Sequence, residues 1–321
     1  MSEILIMGNM PDKDLGILKA EFIVHRAIEI SNFEKFLVEQ GDKISAVATT
    51  GFVGVHNNII EKLKNLEIIS SNGVGYDSID ATFCADRGII VTHTPNVLNA
   101  EVANTTIMLF LNSFREFSFN EAYLKSGRWK LEGMAPYSRS PDNRIVGMLG
   151  MGRIGQEIAS RLSMFNPKIL YHSRSPKDVP YTYYKDLKTM ARDCEVLICI
   201  TPGGIKTNKL VNEEILTALG PTGTLINIAR GSVVDQTALI KTLEDGRLGY
   251  AALDVFESEP NVPDELIHMS NVTLLPHVGS ATFETRAAMG ELTLNNLIEF
   301  KRNGKVLTPV PECLNLEKSI T

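Results

Sequence analysis

The chain has 321 residues with 32 basic and 38 acidic side chains, a net charge of −6. That length accommodates two domains with cores of their own, and 44% apolar with 22% charged residues is ordinary globular composition. The acid excess without any Lys/Arg run argues against nucleic acid as a partner. No apolar run approaches the roughly 20 residues of a membrane span, so no membrane is expected either. Cys84, Cys194, Cys199 and Cys313 have neither C-x-x-C nor His-linked spacing, so no metal is expected. The segment from Met1 to Gly8 reads as a strand and not a signal, which fits a cytoplasmic protein with reduced thiols.

Short apolar segments at 3–7, 22–25, 45–49, 67–70 and 89–92 alternate with helical patterns such as 33–39 and 59–64. This alternation predicts a parallel sheet with helices on its faces. Within it, Asn72-Gly73-Val74-Gly75-Tyr76-Asp77 is either a plain strand-to-helix turn or a loop whose backbone N–H groups converge on an anion. Residues 100–125 lack proline and carry Val102, Thr106, Leu111 and Phe114, predicting one long buried helix. Arg128-Trp129 and the stretch from Met134 to Tyr137 then form an apolar excursion of the kind that marks an interface. A second series of strands is predicted at 144–149, 169–172, 196–200, 224–228, 251–255 and 273–275, and a further long helix at 280–303. The remaining tail is too short for a domain. The economical division is therefore 1–98 plus 290–321, with 99–289 inserted between them and hinges near 95–98 and near Met289.

The second series opens on the most specific motif. An apolar strand, Ile145 to Leu149, runs into Gly150-Met151-Gly152-Arg153-Ile154-Gly155, and a helical pattern follows. Strand, glycine turn and helix are the required setting of the dinucleotide fingerprint. Gly150 permits the tight turn, Gly152 the close approach of a pyrophosphate, and Gly155 the packing of helix on strand. Where an acid should end the next strand and grip the ribose 2′-hydroxyl of NAD, the chain has Ser173-Arg174-Ser175. Hydroxyls beside a guanidinium suit the 2′-phosphate of NADP, so NADPH is the expected cofactor, with NADH second. The expected fold class is α/β, two doubly wound parallel-sheet domains, a Rossmann cofactor domain inserted into a flavodoxin-like substrate domain.

Three later strands end in unusual polar residues. Asn227-Ile228-Ala229-Arg230-Gly231 closes on an arginine, Leu253-Asp254-Val255-Phe256-Glu257-Ser258-Glu259-Pro260 carries acids, and Pro276-His277-Val278-Gly279-Ser280 presents a histidine. Carboxyl ends of strands line the ligand crevice in open α/β sheets, so Arg230, Asp254, Glu259 and His277 are expected to converge. Carbonyl reduction leaves negative charge on an oxygen that must receive a proton, which histidine can supply near neutral pH. A carboxylate orients the imidazole, and an arginine holds a substrate carboxylate and polarises its keto oxygen. Taken singly, His277 also reads as a satisfied structural histidine, and Arg230 and Glu259 as a plain ion pair. Their joint occurrence behind a dinucleotide site favours the chemistry.

These motifs resemble, over essentially the whole chain, the signatures of the D-isomer-specific 2-hydroxyacid dehydrogenases. Ser173-Arg174-Ser175 and the segment from Pro276 to Arg286 are similar to those of the NADPH-preferring glyoxylate, hydroxypyruvate and hydroxyphenylpyruvate reductases of that family. The resemblance implies reduction of a 2-ketoacid to the D-2-hydroxyacid, with Arg230, Glu259 and His277 catalytic and His277 the proton donor. It implies substrate binding by Val74, Gly75, Arg230 and Trp129, the substrate entering between the domains. It further implies cofactor contacts at Gly150, Met151, Gly152, Arg153, Ile154, Gly155, Ser173, Arg174, Ser175, Thr201, Thr207, Ile228, Asp254, His277 and Ser280. Residues of about 110–143 resemble the dimerisation arm of a homodimer. There Trp129 either reaches the neighbouring subunit's site or packs the interface. The run from Thr201 to Thr207 has an extra glycine compared with usual members, and Asn104 stands where an acid is usual. The competing reading is an NAD(P)-sensing regulatory protein of the corepressor type on the same fold, against which the lack of appended tails and basic patches counts.

Overall fold

The computed structural model describes residues 2–316, and the chain divides into two compact units, Met1–Leu98 with Thr282–Thr321, and Asn99–Ala281. In the first unit lie β1 (Glu3–Ile6), β2 (Ile23–Arg26), β3 (Ile44–Thr50), β4 (Ile68–Asn72) and β5 (Ile90–Thr92). All pairs are parallel, and the order β2-β1-β3-β4-β5 is the flavodoxin-like winding. Its inner strands are covered on both faces, which is why Ile4, Leu5 and Ile6, or Ile68 and Ile69, are buried in succession and do not alternate.

The helix Phe283–Asn303 belongs to this first unit. Leu294 and Leu297 enter the core, and the Ser70 hydroxyl donates to the Thr293 carbonyl at 3.1 Å. Thr282 caps the helix, its hydroxyl accepting the Thr285 N–H, and Gly304 ends it in the left-handed region. The helix is unbroken between those caps, so the second seam falls at 281/282 and not near Met289, which is buried within it. Beyond Gly304 the chain returns to β5: Thr92 bridges Pro309, the Val310 N–H donates to the Val91 carbonyl at 2.9 Å, and Cys313 is fully buried.

The second unit contains β6 (Ile145–Leu149), β7 (Lys168–His172), β8 (Thr182–Tyr183), β9 (Val196–Cys199), β10 (Thr224–Asn227), β11 (Tyr250–Leu253) and β12 (Val272–Leu274). Its parallel order is β12-β11-β10-β9-β6-β7-β8. From β6 the chain winds outward to β8, then returns to the other side of β6 and continues through β9 to β12. The point of reversal lies between β6 and β9, where open α/β sheets take their ligands.

Two local predictions are corrected. The helix expected at 100–125 is two helices, Asn99–Arg115 and Phe117–Lys125. Glu116 between them is left-handed (φ +51°), and the Asn112 side chain accepts the Ser118 N–H at 3.0 Å. A buried amide thus breaks the helix without proline or glycine. The edge strand β8 was not anticipated, because two residues carry no periodicity. Among the described residues no helix is long and apolar enough to cross a membrane, and no His/Cys/Asp/Glu group could hold a metal ion.

Candidate active site

The glycine turn sits at the reversal point. Gly150 has φ +112°, and a Cβ there would stand 2.6 Å from the Ile200 carbonyl oxygen that follows β9. A Cβ on Gly155 would meet the Gly150 carbonyl oxygen at the same distance, so only glycine lets this helix approach the strand. Gly152 differs, since nothing lies within 4 Å of its would-be Cβ. It opens the helix Arg153–Leu162 without a side-chain cap and with no acid in the first turn. The helix start is therefore open and rich in uncapped N–H donors, which suits an anion. Such a turn fits the pyrophosphate of a dinucleotide; within it Met151 is buried and Arg153 exposed. After β7, Ser173, Arg174 and Ser175 form a loop in which Arg174 is exposed and the Ser173 hydroxyl donates to the Ser175 carbonyl at 2.7 Å. Thr201 follows β9. The Thr207 hydroxyl donates to the Pro202 carbonyl at 2.7 Å and so closes its own loop. Buried Ile228 donates its N–H to Cys199.

Strand register gathers the candidate residues. Asn227 stands opposite Leu253, and Leu253 opposite Leu274, so β10, β11 and β12 end at one level. Arg230, Asp254 and His277 leave those ends within a few residues. Buried Asn227 fixes the arginine turn with one amide: its Oδ1 accepts the Ala229 N–H at 3.1 Å and its Nδ2 donates to the Arg230 carbonyl at 3.0 Å. The next residue has to be glycine, because a Cβ on Gly231 would lie 1.9 Å from the backbone C and O of Phe256. The Arg230 turn and the segment leading to Glu259 are thus pressed together, backbone against backbone.

Asp254, 2% exposed, holds the histidine loop. Its carboxylate accepts the N–H groups of Val278 and Gly279 at 2.7 and 2.8 Å, and its carbonyl accepts that of His277 at 2.9 Å. Burial pushes the Asp254 carboxyl up, and the two N–H bonds oppose that shift. His277 itself has φ +53°, a conformation uncommon outside glycine that persists when its surroundings fix it. Its Nδ1 is 2.7 Å from Glu259 Oε2, while Glu259 Oε1 accepts the Phe256 N–H at 2.9 Å. Burial works to raise the Glu259 carboxyl. Hydrogen bonds from His277 and Phe256, with the charges of His277 and Arg230, outweigh it and hold the group below the usual carboxylate range. The glutamate side chain is 14% exposed and the imidazole 41%. A largely covered acid therefore backs an open imidazole ring.

The second unit thus brings Arg230, Asp254, Glu259 and His277 together. Ser280 follows directly, and Thr105 donates to the Gly279 carbonyl at 3.2 Å. Asn104, where an acid is usual, accepts from Arg161 Nε at 2.8 Å and so joins two helices. In the first unit, Val74 and Gly75 lie in the loop after β4. The Val74 carbonyl meets His93 Nδ1 at 2.9 Å, and the Thr94 N–H donates to Gly73. Trp129 lies on the short helix Arg128–Glu132, exposed like Phe117, Leu124, Leu131, Met134 and Tyr137. Sequence reasoning overlooked Asn227 as a fixing residue, although an amide closing an apolar strand was the available signal.

This fold and this site define a dinucleotide-dependent α/β oxidoreductase. The family described as D-isomer specific 2-hydroxyacid dehydrogenase, NAD binding domain, matches residues 107–279. The chain is 44% identical over 270 residues to a glyoxylate/hydroxypyruvate reductase A of Arabidopsis thaliana, covering 84% of this chain and 86% of that one. It is 41% identical over 276 residues to a hydroxyphenylpyruvate reductase of Plectranthus scutellarioides, covering 86% and 88%. Its fold matches, at TM-score 0.90 and 42% identity over 97% of each chain, an NADPH-dependent glyoxylate/hydroxypyruvate reductase of Sinorhizobium meliloti solved with NADP and malonate. The protein belongs to the D-isomer-specific 2-hydroxyacid dehydrogenases and is an NAD(P)-dependent enzyme of that family.

Proposed function

We propose that the protein is an NADPH-preferring reductase that converts glyoxylate, hydroxypyruvate or a larger 2-ketoacid to the D-2-hydroxyacid. The observation that carries this reading is the 2.7 Å pair of Glu259 and His277 on the sheet end that also bears Arg230. When bound, the nicotinamide supplies the hydride. Arg230 holds the substrate carboxylate and draws charge from the keto oxygen. His277 Nε2 gives that oxygen its proton, and Glu259 stabilises the imidazolium and keeps the ring oriented. Asp254 and Ser280 line the nicotinamide side, and Asn99–Ala281 is the cofactor unit. In the first unit, the amides of Val74 and Gly75 are the proposed carboxylate cradle. The names of the relatives support the substrate class, and the exposed Arg174 without a neighbouring acid at 173 or 175 supports NADPH. The apolar surface around Trp129 is the proposed homodimer contact.

Initial rates with NADPH and NADH on glyoxylate, hydroxypyruvate and an aromatic 2-ketoacid test the proposal. NADPH gives the higher kcat/KM, and His277→Ala loses about 10²–10⁴-fold. Near-full activity of Arg230→Ala or His277→Ala, or equal rates with NADH, refutes it.

A further inference from the structure

We infer that Tyr171 and Tyr183 set the cofactor preference by holding the 173–177 loop in shape, a role that rests on the proposed use of Arg174 toward the 2′-phosphate. Parallel neighbours are normally joined by a crossover of a dozen or more residues, usually a helix. The connection from β7 to β8 spans only 173–181 and contains no helix, and two tyrosines bond parts of its backbone. Tyr171, the partner of Tyr183 in the ladder, does so from within the core. It is 1% exposed, yet its hydroxyl uses both of its hydrogen-bonding capacities on one residue. It accepts the Lys177 N–H at 2.8 Å and donates to the Lys177 carbonyl at 3.2 Å.

Tyr183 grips the other end. Its hydroxyl donates to the Ser173 carbonyl at 3.3 Å, and the two rings touch with centroids 5.4 Å apart. Between the grips the Ser173 hydroxyl ties to the Ser175 carbonyl. The loop is therefore fastened at its first residue, at its middle and at Lys177, and it carries two exposed cations, Arg174 and Lys177. A phenylalanine at 171 would fill the same buried volume. The hydroxyl serves the loop backbone alone.

Both tyrosines are positioning residues that act through the loop. A loop already in its bound shape spares the ordering cost of gathering charges around a phosphate. NADH has no 2′-phosphate and draws nothing from that arrangement. Loss of the clamp therefore raises KM for NADPH and leaves KM for NADH and kcat in place.

The test measures kcat and KM with NADPH and with NADH, at saturating glyoxylate, for wild type, Tyr171→Phe, Tyr183→Phe and Arg174→Ala, with thermal melting of each. The expected result for Tyr171→Phe is a rise of about tenfold in KM for NADPH, with kcat and KM for NADH within about twofold. Tyr183→Phe, losing one long bond, gives about threefold for NADPH alone, and it carries the test should Tyr171→Phe fail to fold. An equal rise for both cofactors, or none for NADPH, overturns the clamp. If Arg174→Ala abolishes the NADPH preference while both tyrosine variants keep it, the clamp fails and the NADPH reading stands. A wild type without NADPH preference overturns that reading and the clamp with it.

Discussion

Gly231→Ala adds one methyl group at the point where the arginine turn meets the segment leading to the glutamate. The new Cβ would start 1.9 Å from the C and O of Phe256, whereas real Cβ contacts do not fall under 3.0 Å. The two backbones must separate by at least 3.0 − 1.9 = 1.1 Å. No flexible side-chain end can yield instead, because the obstructing atoms are main chain. Overpacking of this kind costs about 1–3 kcal/mol, which for a unit of this size lowers Tm by about 2–4 °C per kcal/mol. The catalytic cost is larger. Arg230 immediately precedes the glycine, and the Phe256 N–H holds Glu259, so the arginine and the Glu259–His277 pair are driven apart. A misplacement near 1 Å costs about 10²-fold in rate. Steady-state kinetics with a 2-ketoacid, alongside a melting curve, should show a folded protein with kcat/KM reduced about 10²-fold. A variant with wild-type Tm and kcat/KM within threefold would refute the idea that this contact sets the spacing of the proposed catalytic groups.

Asn227→Ala leaves the Ala229 N–H and the Arg230 carbonyl without their shared amide, so stability should fall by about 1–3 kcal/mol with a matching loss in kcat/KM, read by denaturant titration and initial rates. Asp254→Asn replaces an acceptor of two N–H groups with a side chain that turns a donor toward one of them. A lower single-turnover rate of hydride transfer is expected, and an unchanged rate would count against the pinning of His277. Because the Glu259 carboxyl is held below its ordinary value, its contribution to stability is present above the unfolded-state range, near pH 4.3, and is lost as pH falls through the lower folded-state value. The Tm gap between wild type and Glu259→Gln should hold at neutral pH and close in acid. As a control, Gly16→Ala lies in the helix Asp12–Glu21 with open space for its Cβ and should stabilise by about 0.4–1 kcal/mol.

The strands were legible because parallel strands covered on both faces are short apolar runs, and the observed ends differ from the expected ones by a residue or so. The glycine fingerprint was legible for a stronger reason. Each glycine answers a separate steric demand, and Gly150 and Gly155 are forced by carbonyl oxygens 2.6 Å from a would-be Cβ. What the sequence concealed was made by single side chains bonding to backbone a few residues away. Asn112 ends a helix with a bond to Ser118, and Asn227 spans a turn. Tyr171 looks like one more apolar strand residue until its hydroxyl is seen on Lys177. His277 was legible as a polar residue closing a strand, but its left-handed backbone was not, because that conformation depends on Asp254 at the end of the neighbouring strand.

The return of residues 304–316 to β5 orders events during synthesis. The first unit's core includes Leu294, Leu297, Val306, Val310 and Cys313, so its strands, all made before residue 99, wait for side chains made only after Ala281. Asn99–Ala281 has no such debt and can fold as soon as it leaves the ribosome. Chains truncated after Ala281 and released from the ribosome should therefore show 99–281 protected from protease and 1–98 digested. Protection of both segments alike would contradict that order.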